Sequence, residues 1–562
     1  MKTIKFLNTQ LLLGFTLLLS TSVSTLIAAT IDLRPGDSFE DAVESLQAGD
    51  ILIVHAGTYT GEGRISIAAQ GTAAQPVVIR SANGEARPLI TRTASAPIQN
   101  TINIEGSSYL TIQGLEISGN GGDGVKFGEQ PSDHVILQNL RIHDIDTGIN
   151  TKVNTNNLTI RNNEIYNTGA NDGTGEGLYI GCHDGSCSTR DSIINDNLIH
   201  DTLPGTTQGD GIEVKLNSQN IIIRDNVIYN RPFPGIFVYG GGDVNIVEGN
   251  VVWNSLEGIA AISDARVRNN ILFDNETGIV SFHHEIVPVI ENTRFVNNTL
   301  YNNTLGVSLR WQDGSNMIFA NNAVYSPRNV AIDSNTASQT VSSNLTVGDV
   351  FDTSNNPADN SRFIAGRSAM LDFKIAANQD FWPTAQSPAI GAADSNFTPA
   401  NDFNATSRQS PSDIGAYHRN NQASNPGWAI EATFKNGGSG SGTPASVDID
   451  GDGNTDALTD GLLIVRYLFG LTGDALISGA VSNNATRTSA ANIEALLLTL
   501  KNSNTLDIDG DGNSDALTDG LLIIRYLFGL RGDALISGAV ANNATRTSAA
   551  DIETRLQAIL AS

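Results

Sequence analysis

Between residues 120 and 330 one short phrase returns at irregular intervals, and it restricts the fold more than any single residue does. Gly211-Ile-Glu-Val-Lys215, Gly235-Ile-Phe-Val-Tyr239, Gly258-Ile-Ala-Ala-Ile262 and Gly278-Ile-Val-Ser-Phe282 recur at steps of 20–24 residues. Most of them alternate apolar with variable residues, the pattern of a strand with one buried face. A second series is interleaved: Asn163-Glu-Ile-Tyr166, Asn197-Leu-Ile-His200, Asn226-Val-Ile-Tyr229, Asn250-Val-Val-Trp253, Asn270-Ile-Leu-Phe273, Asn298-Thr-Leu-Tyr301 and Asn322-Ala-Val-Tyr325. Short strands at such a period, with no helical pattern, predict a solenoid of coils. The repeating Asn belongs at a tight inward turn, where its amide can bond the Asn one coil up and its backbone can take unusual angles. The expected fold is all-β, a right-handed single-stranded parallel β-helix. Stacking makes residues distant in sequence neighbours at ~4.8 Å.

The chain opens Met1-Lys2-Thr3-Ile4-Lys5, continues with an apolar stretch at 11–19 and reaches small residues at Ala28-Ala29. Charge, short apolar core and small-residue end predict a secretory signal peptide over 1–29. No later run reaches spanning length, so a secreted, extracellular, periplasmic or cell-surface protein without a membrane span is expected. Cys182 and Cys187 are five residues apart; in an oxidising compartment they would close a small loop disulfide, the alternative being a metal site with His183. Lys and Arg number 33 against 59 Asp and Glu, a net charge of −26 that argues against nucleic acid as a partner. The expected organisation is a β-helix domain at 30–425, a Gly/Ser linker at 426–446 and two repeats at 447–502 and 503–562.

Residues 39–46 read as a short amphipathic helix plugging the open end of the core, and 50–54 and 76–80 as strands. The opening Ala48-Gly-Asp-Ile-Leu, Ala56-Gly-Thr-Tyr59, Gly71-Thr72 and Pro76-Val-Val-Ile-Arg80 resembles that of secreted right-handed β-helix proteins, notably chondroitinase-B-like and alginate lyases. The end, Ser387-Pro-Ala-Ile-Gly391 through Asp413-Ile-Gly-Ala-Tyr417, resembles their final coils. Beyond the linker stands a tandem duplication. Carboxylates at positions 1, 3, 5 and 9 with Gly at 6 are what an EF-hand-type Ca²⁺ loop requires. Asp448, Asp450, Asp452, Gly453 and Asp456 meet that pattern; Asp507, Asp509, Asp511, Gly512 and Asp515 meet it again 59 residues on. The segments resemble dockerin-type Ca²⁺ repeats, with the closing acid, Asp460 or Asp519, at position 13 instead of 12. Each loop feeds an apolar helix, and a second helix follows, with Ser489 or Ser548 as its N-cap. This α-helical module would bind Ca²⁺ and attach the protein to a protein or cell-surface partner, or simply stabilise the tail.

In the Gly-led strands the first and third residues after Gly point inward, so the second and fourth point out. The outward set is Lys126; Asn150 and Lys152; Tyr179; Glu213 and Lys215; Phe237 and Tyr239; Ala260 and Ile262; Phe282; and Arg310. The residue before each Gly forms another column: Asp123, Thr147, Glu176, Asp210, Pro234 and Glu257. Aromatic faces stack on sugars and cationic side chains pair with carboxylate or sulfate, so the surface suits an anionic polysaccharide, with Lys152, Tyr179, Phe237 and Arg310 as binding residues. Glu176, Asp210 and Glu213 are candidate Ca²⁺ ligands. Lys215 is the candidate base and Tyr239 the candidate acid for β-elimination at a uronic acid; alternatively Lys215 is a structural ion-pair partner. The lyase resemblance implies that Lys215, followed by Leu-Asn-Ser-Gln-Asn-Ile, lies on the base-bearing strand, and that Asp210 is a metal-binding acid. Gln208 fills the family's second acidic position, and Val238-Tyr239 stands where Arg-His would; Arg310 lies about four coils from Lys215. His183, in the cysteine loop, and His283 and His284, which follow the Phe282 strand about three coils from Lys215, are further acid–base candidates.

Three functions follow: a secreted Ca²⁺-dependent lyase, a glycoside hydrolase using two of Glu176, Asp210 and Glu213, or a non-catalytic carbohydrate-binding protein.

Overall fold

Alternation becomes three parallel ladders, because each coil buries one face of three short strands. The structure, a computed structural model, describes residues 28–93, 97–287, 289–353 and 362–419. It also describes 447–560 except 451–454, 483–484, 486, 489, 503–504, 512 and 543. The expected leader (but for its last two residues), the linker at 426–446, Asp452 and Ser489 lie outside the described residues. The chain divides into two compact units, one running to Asn421 and one carrying the C-terminal repeats.

In the first unit, one wall runs from Thr30–Leu33 through Ser132–Gln138 and Gln219–Arg224 to Thr340–Ser342. A second holds Arg141–Ile145, Glu164–Thr168, Leu198–Thr202 and Val227–Tyr229. A third stacks Val125–Phe127, Ile149–Thr151, Leu178–Ile180, Ile212–Val214, Ile236–Val238 and Glu257–Ala261. Every pair between successive coils is parallel, with Leu178 over Ile212 and Ile212 over Ile236. The helix Phe39–Glu44, capped by Ser38, buries Phe39 and Val43 in the same core. It is slightly shorter than the expected 39–46. Among the described residues, no helix is long and apolar enough to cross a membrane.

At the corner between first and second walls, the repeating Asn form one unbroken chain. Asn163, Asn197, Asn226, Asn250, Asn270, Asn298 and Asn322 each donate their side-chain amide to the Oδ1 of the next, ending on Asn344, at 2.9–3.0 Å. Each Oδ1 also accepts the backbone N–H of the Asn below, as Asn226 Oδ1 does from Asn197, and every member is fully buried. The expected unusual backbone angle falls one residue earlier: Asn162, Asp196, Asp225, Asn269, Asn297 and Asn321 take the left-handed conformation at φ 53–60°. The ladder Asn thus keeps an ordinary backbone and spends its side chain on the stack, while a short polar neighbour makes the turn.

The last residue of the same phrases builds a column outside the second wall. The rings of His143, Tyr166, His200, Tyr229, Trp253 and Phe273 stack nearly parallel, with centroids 4.5–5.4 Å apart. Their faces cover one another, so this column closes on itself and offers no sugar platform.

In the second unit each loop leads into a wide turn, Ala457–Gly461 or Ala516–Gly520, and then a helix, Leu462–Leu468 or Leu521–Leu527. Short helices Asp474–Ile477 and Asp533–Ile536 intervene before Ala490–Asn502 and Ala549–Leu560; the sequence reading has no counterpart for them. Ser548 caps the last helix, accepting from Asp551 N at 3.2 Å. Both repeats share one core, with Leu463, Ile464, Leu522 and Ile523 fully buried.

Replacing Asn226 by Ala removes two donors and two acceptor bonds from a dry corner. With a buried group left unsatisfied costing ~1–3 kcal/mol, the expected loss of stability is roughly 3 kcal/mol. A urea melt reads it as a lower midpoint.

Candidate active site

The outward columns fall in register on the third wall. Lys126, Asn150, Tyr179, Glu213, Phe237 and Ala260 lie directly over one another. Glu176 and Asp210 end the loops that enter this wall, and their carbonyls accept from Gly148 and Gly177 on the neighbouring coil at 3.0 and 2.9 Å. Glu176, Asp210 and Glu213 are 0, 3 and 2 % exposed, and one oxygen from each lies within 4.8 Å of the other two.

Burial raises the pKa of Asp210 and of Glu213, since three carboxylates share a space with little water. Glu176 Oε2 accepts from Thr147 at 3.1 Å and Thr174 at 2.5 Å. Glu213 Oε1 pairs with Lys215 and accepts from the Tyr239 hydroxyl at 3.1 Å. Glu176 Oε1, Asp210 Oδ1 and Glu213 Oε2 are buried without a hydrogen-bond partner. Three buried carboxyl oxygens without a partner are costly unless a proton or a cation takes them, and an all-carboxylate donor set suits a hard ion such as Ca²⁺ better than a soft one.

Lys215 is buried beside this cluster, its Nζ 4.4 Å from the Tyr179 ring centre and 5.0 Å from that of Tyr239. Burial, and next the charge of Glu213, raises the pKa of both phenols, which holds them protonated.

A residue absent from the sequence reading fixes the two entering loops. Arg231 is 1 % exposed and donates to the carbonyls of Asp201, Gly209, Gly175 and Asp210 and to Thr168 Oγ1, at 2.6–3.1 Å. It therefore clamps three coils beneath Glu176 and Asp210. Burial depresses its pKa to about 10, which still leaves it charged at neutral pH. The only sequence signal was a lone Arg directly after a ladder phrase, in Tyr229-Asn-Arg231.

A cleft of about 480 Å³ lies over the wall, floored by Glu176, Tyr179 and Lys215 and extending past Lys152 and Asn150 to Lys126. Of the expected binding residues, Lys152 and Tyr179 line it, with Lys152 Nζ 4.7 Å from the Tyr179 ring centre. Phe237 and Tyr239 are 8 and 4 % exposed, so they do not form the open aromatic platform expected of outward positions. His183 and His284 cover Tyr239 edge-on, at ring distances of 5.9 and 5.0 Å. Coil counting put His284 remote from Lys215; its segment folds back to the site instead. Arg310 is not part of the cleft lining and pairs with Asp333 at 2.6 Å. The Cys182–Cys187 disulfide closes the loop that carries His183.

Asp146, unremarked in the sequence, also lines the cleft; burial and the nearby Asp123 push its pKa up to about 6. Asp123 is held by Lys126 at 2.9 Å and Asn150 at 3.0 Å.

In the C-terminal unit, Asp448, Asp450 and Asp460 group within 4.8 Å, as do Asp507, Asp509 and Asp511. Asp456 and Asp515 are exposed and outside both groups. Asp519 is outside the second group, and both closing acids brace their loops. Asp460 accepts from the N–H groups of Ile449, Asp450 and Asp456, and Asp519 from those of Ile508, Asp509 and Asp515, at 2.5–3.2 Å.

A family model described as right handed beta helix region matches residues 82–252, and one described as periplasmic copper-binding protein (NosD) matches residues 180–353. No curated protein matches the chain. Among solved structures, the chain is similar to an alginate lyase from Paenibacillus sp. str. FPU-7 (21 % identity, 51 % of this chain and 95 % of that one, TM-score 0.36). It is also similar to pectate lyase Pel9A (14 % identity, 70 and 96 %, TM-score 0.44). A third is the mannuronan C-5 epimerase AlgE4 A-module of Azotobacter vinelandii (14 % identity, 57 and 92 %, TM-score 0.39). A fold hosts many activities, so function rests on the chemistry of the site.

Two outcomes follow. Arg231→Met should lower stability by ~3 kcal/mol or more, since each hydrogen bond to a charged group contributes ~1.5–3 kcal/mol; denaturant melts check it. Glu257, one coil beyond Pro234 on the acid column, has its pKa raised to about 7 by burial and by Glu276. The folded state therefore holds this proton more tightly than the unfolded chain, and its stability falls as pH rises from about 4.5 to 7. Glu257→Gln should remove that part of the slope, raising Tm relative to the parent at pH 8 more than at pH 5.

Proposed function

We propose that the first unit is an exported polysaccharide lyase that cleaves a uronic-acid-containing chain by β-elimination, with Ca²⁺ held by Glu176, Asp210 and Glu213. The observation that carries this reading is the buried acidic cluster with its three partnerless carboxylate oxygens beside Lys215, of which Glu176 and Lys215 line a cleft that also carries Lys126 and Lys152. When bound, Ca²⁺ would neutralise the sugar carboxylate and acidify the proton alpha to it. The neutral amine of Lys215 takes that proton, with Glu213 released from its ion pair to the metal. The bond from the β-carbon to the glycosidic oxygen breaks, a carbon–carbon double bond remains, and the Tyr239 hydroxyl supplies a proton to the leaving oxygen. Its raised pKa suits Tyr239 to give a proton and not to take one. The disulfide supports an oxidising, extracytoplasmic compartment.

A hydrolase on the same carboxylates is less well supported. An acid and its partner stand ~5–9.5 Å apart with room for water or a sugar between them, whereas here three oxygens converge within 4.8 Å. We further propose that the Asp448 and Asp507 groups bind Ca²⁺ and that the C-terminal unit serves attachment, to a protein or to a cell surface.

The test is incubation with alginate, polygalacturonate and chondroitin while ultraviolet absorbance is followed. A lyase generates absorbance that EDTA abolishes and that Lys215→Ala eliminates without changing the circular dichroism spectrum. Reducing ends without absorbance would transfer the site to hydrolysis, and full activity in Lys215→Ala would remove the assigned base.

A further inference from the structure

We infer that this cleft receives the end of a sugar chain and excludes its middle, so that the protein works inward from chain termini; the inference rests on the polysaccharide reading above. A parallel solenoid normally leaves its outward columns open along the whole stack, and a polymer could lie across any number of coils. Here the open stretch is short. On the outward column Lys126, Asn150 and Tyr179 line the cleft, and Glu213 on the next coil does not. Beyond Glu213 come Phe237, Ala260 and Val280 in register, at 8, 0 and 7 %. The wall is covered from Phe237 onward.

The roof comes from two loops that leave the same edge of the wall. One is the disulfide-closed loop carrying His183, further tied by Asn217 Nδ2 to Gly185 O at 3.3 Å. The other follows Ser281. Its His284 ring lies 5.0 Å from Tyr239 and 6.1 Å from Phe237, Ile286 packs on the core, and Val287 is buried. The two histidines meet edge to face at 6.3 Å, closing the gap between the loops. Toward the N-terminus the next residue of the column is Asn103, 3 % exposed and bonded by Asn100 at 2.9 Å. The cleft therefore spans three coil steps, from Lys126 to Lys215, about 14 Å at ~4.8 Å per step. A polymer threading along the wall past Lys215 would have to run through Phe237 and Ala260.

The terminal sugar consequently abuts His183, and the chain leaves toward Lys152 and Lys126, whose ammonium groups can pair with the carboxylates of the next units. His183 and His284 act as specificity determinants by occupying the space a continuing chain would need.

The experiment follows polygalacturonate and alginate digestion by absorbance and viscosity together, with early products sized by chromatography. End-directed action makes absorbance climb while viscosity stays near its starting value, and mono- or disaccharides dominate from the first time point. His284→Gly should shift early products to longer oligosaccharides and make viscosity fall sooner at equal absorbance. A broad ladder of early products with viscosity collapsing in the parent protein would overturn the inference while leaving the lyase reading intact. Binding by Lys215→Ala gives a second readout: affinity for trisaccharide and polymer, counted per chain end, should match. Polymer bound at many internal sites per chain would also overturn it. If neither polymer is bound or cleaved, the polysaccharide reading fails and the inference goes with it.

Discussion

Everything in the first unit depends on one coil sitting squarely over the next, and a buried chain of amides enforces it. From Asn163 to Asn344 each side chain is both donor and acceptor, so sliding one coil by a residue would strand several polar atoms in a dry corner at once. Apolar stacking inside the triangular core is far less particular about register, because one Ile or Val replaces another with little change in shape. Hydrophobic burial gives the solenoid its cohesion and the amide chain gives it its alignment. The acidic cluster inherits that alignment, since Glu176 lies on one coil and Asp210 and Glu213 on the next.

Much of this was readable from the sequence because solenoids translate periodicity directly into position. The Gly-led phrases located the third wall, and counting from each Gly correctly assigned Val214 inward and Lys215 beside the acids. Counting also set Arg310 apart. It failed wherever a loop departs from the coil. His284 is remote by coil number yet touches Tyr239, because the segment after Ser281 doubles back. Phe237 has an outward register and is nonetheless covered. Periodicity describes strands, and lids have none.

Arg231 illustrates a different limit. Nothing about a single Arg after Asn230 announces that its guanidinium reaches carbonyls 21 to 56 residues away. Its role emerges only when the loops ending in Glu176 and Asp210 are seen to converge over it. The paired acidic loops show the reverse: the motif was plain, but the closing acids turned out to spend their oxygens on backbone N–H groups. A motif specifies which residue types are present, whereas competition among nearby donors decides what each oxygen does.

The ring column outside the second wall has a consequence of another kind. Trp253 lies between Tyr229 and Phe273, each ring nearly parallel to it. Tyrosines at van der Waals separation from an indole pass their excitation to it, so this stack is a built-in optical gauge. Any local unzipping of the middle turns would change the emission of that one fluorophore before the remainder of the solenoid came apart.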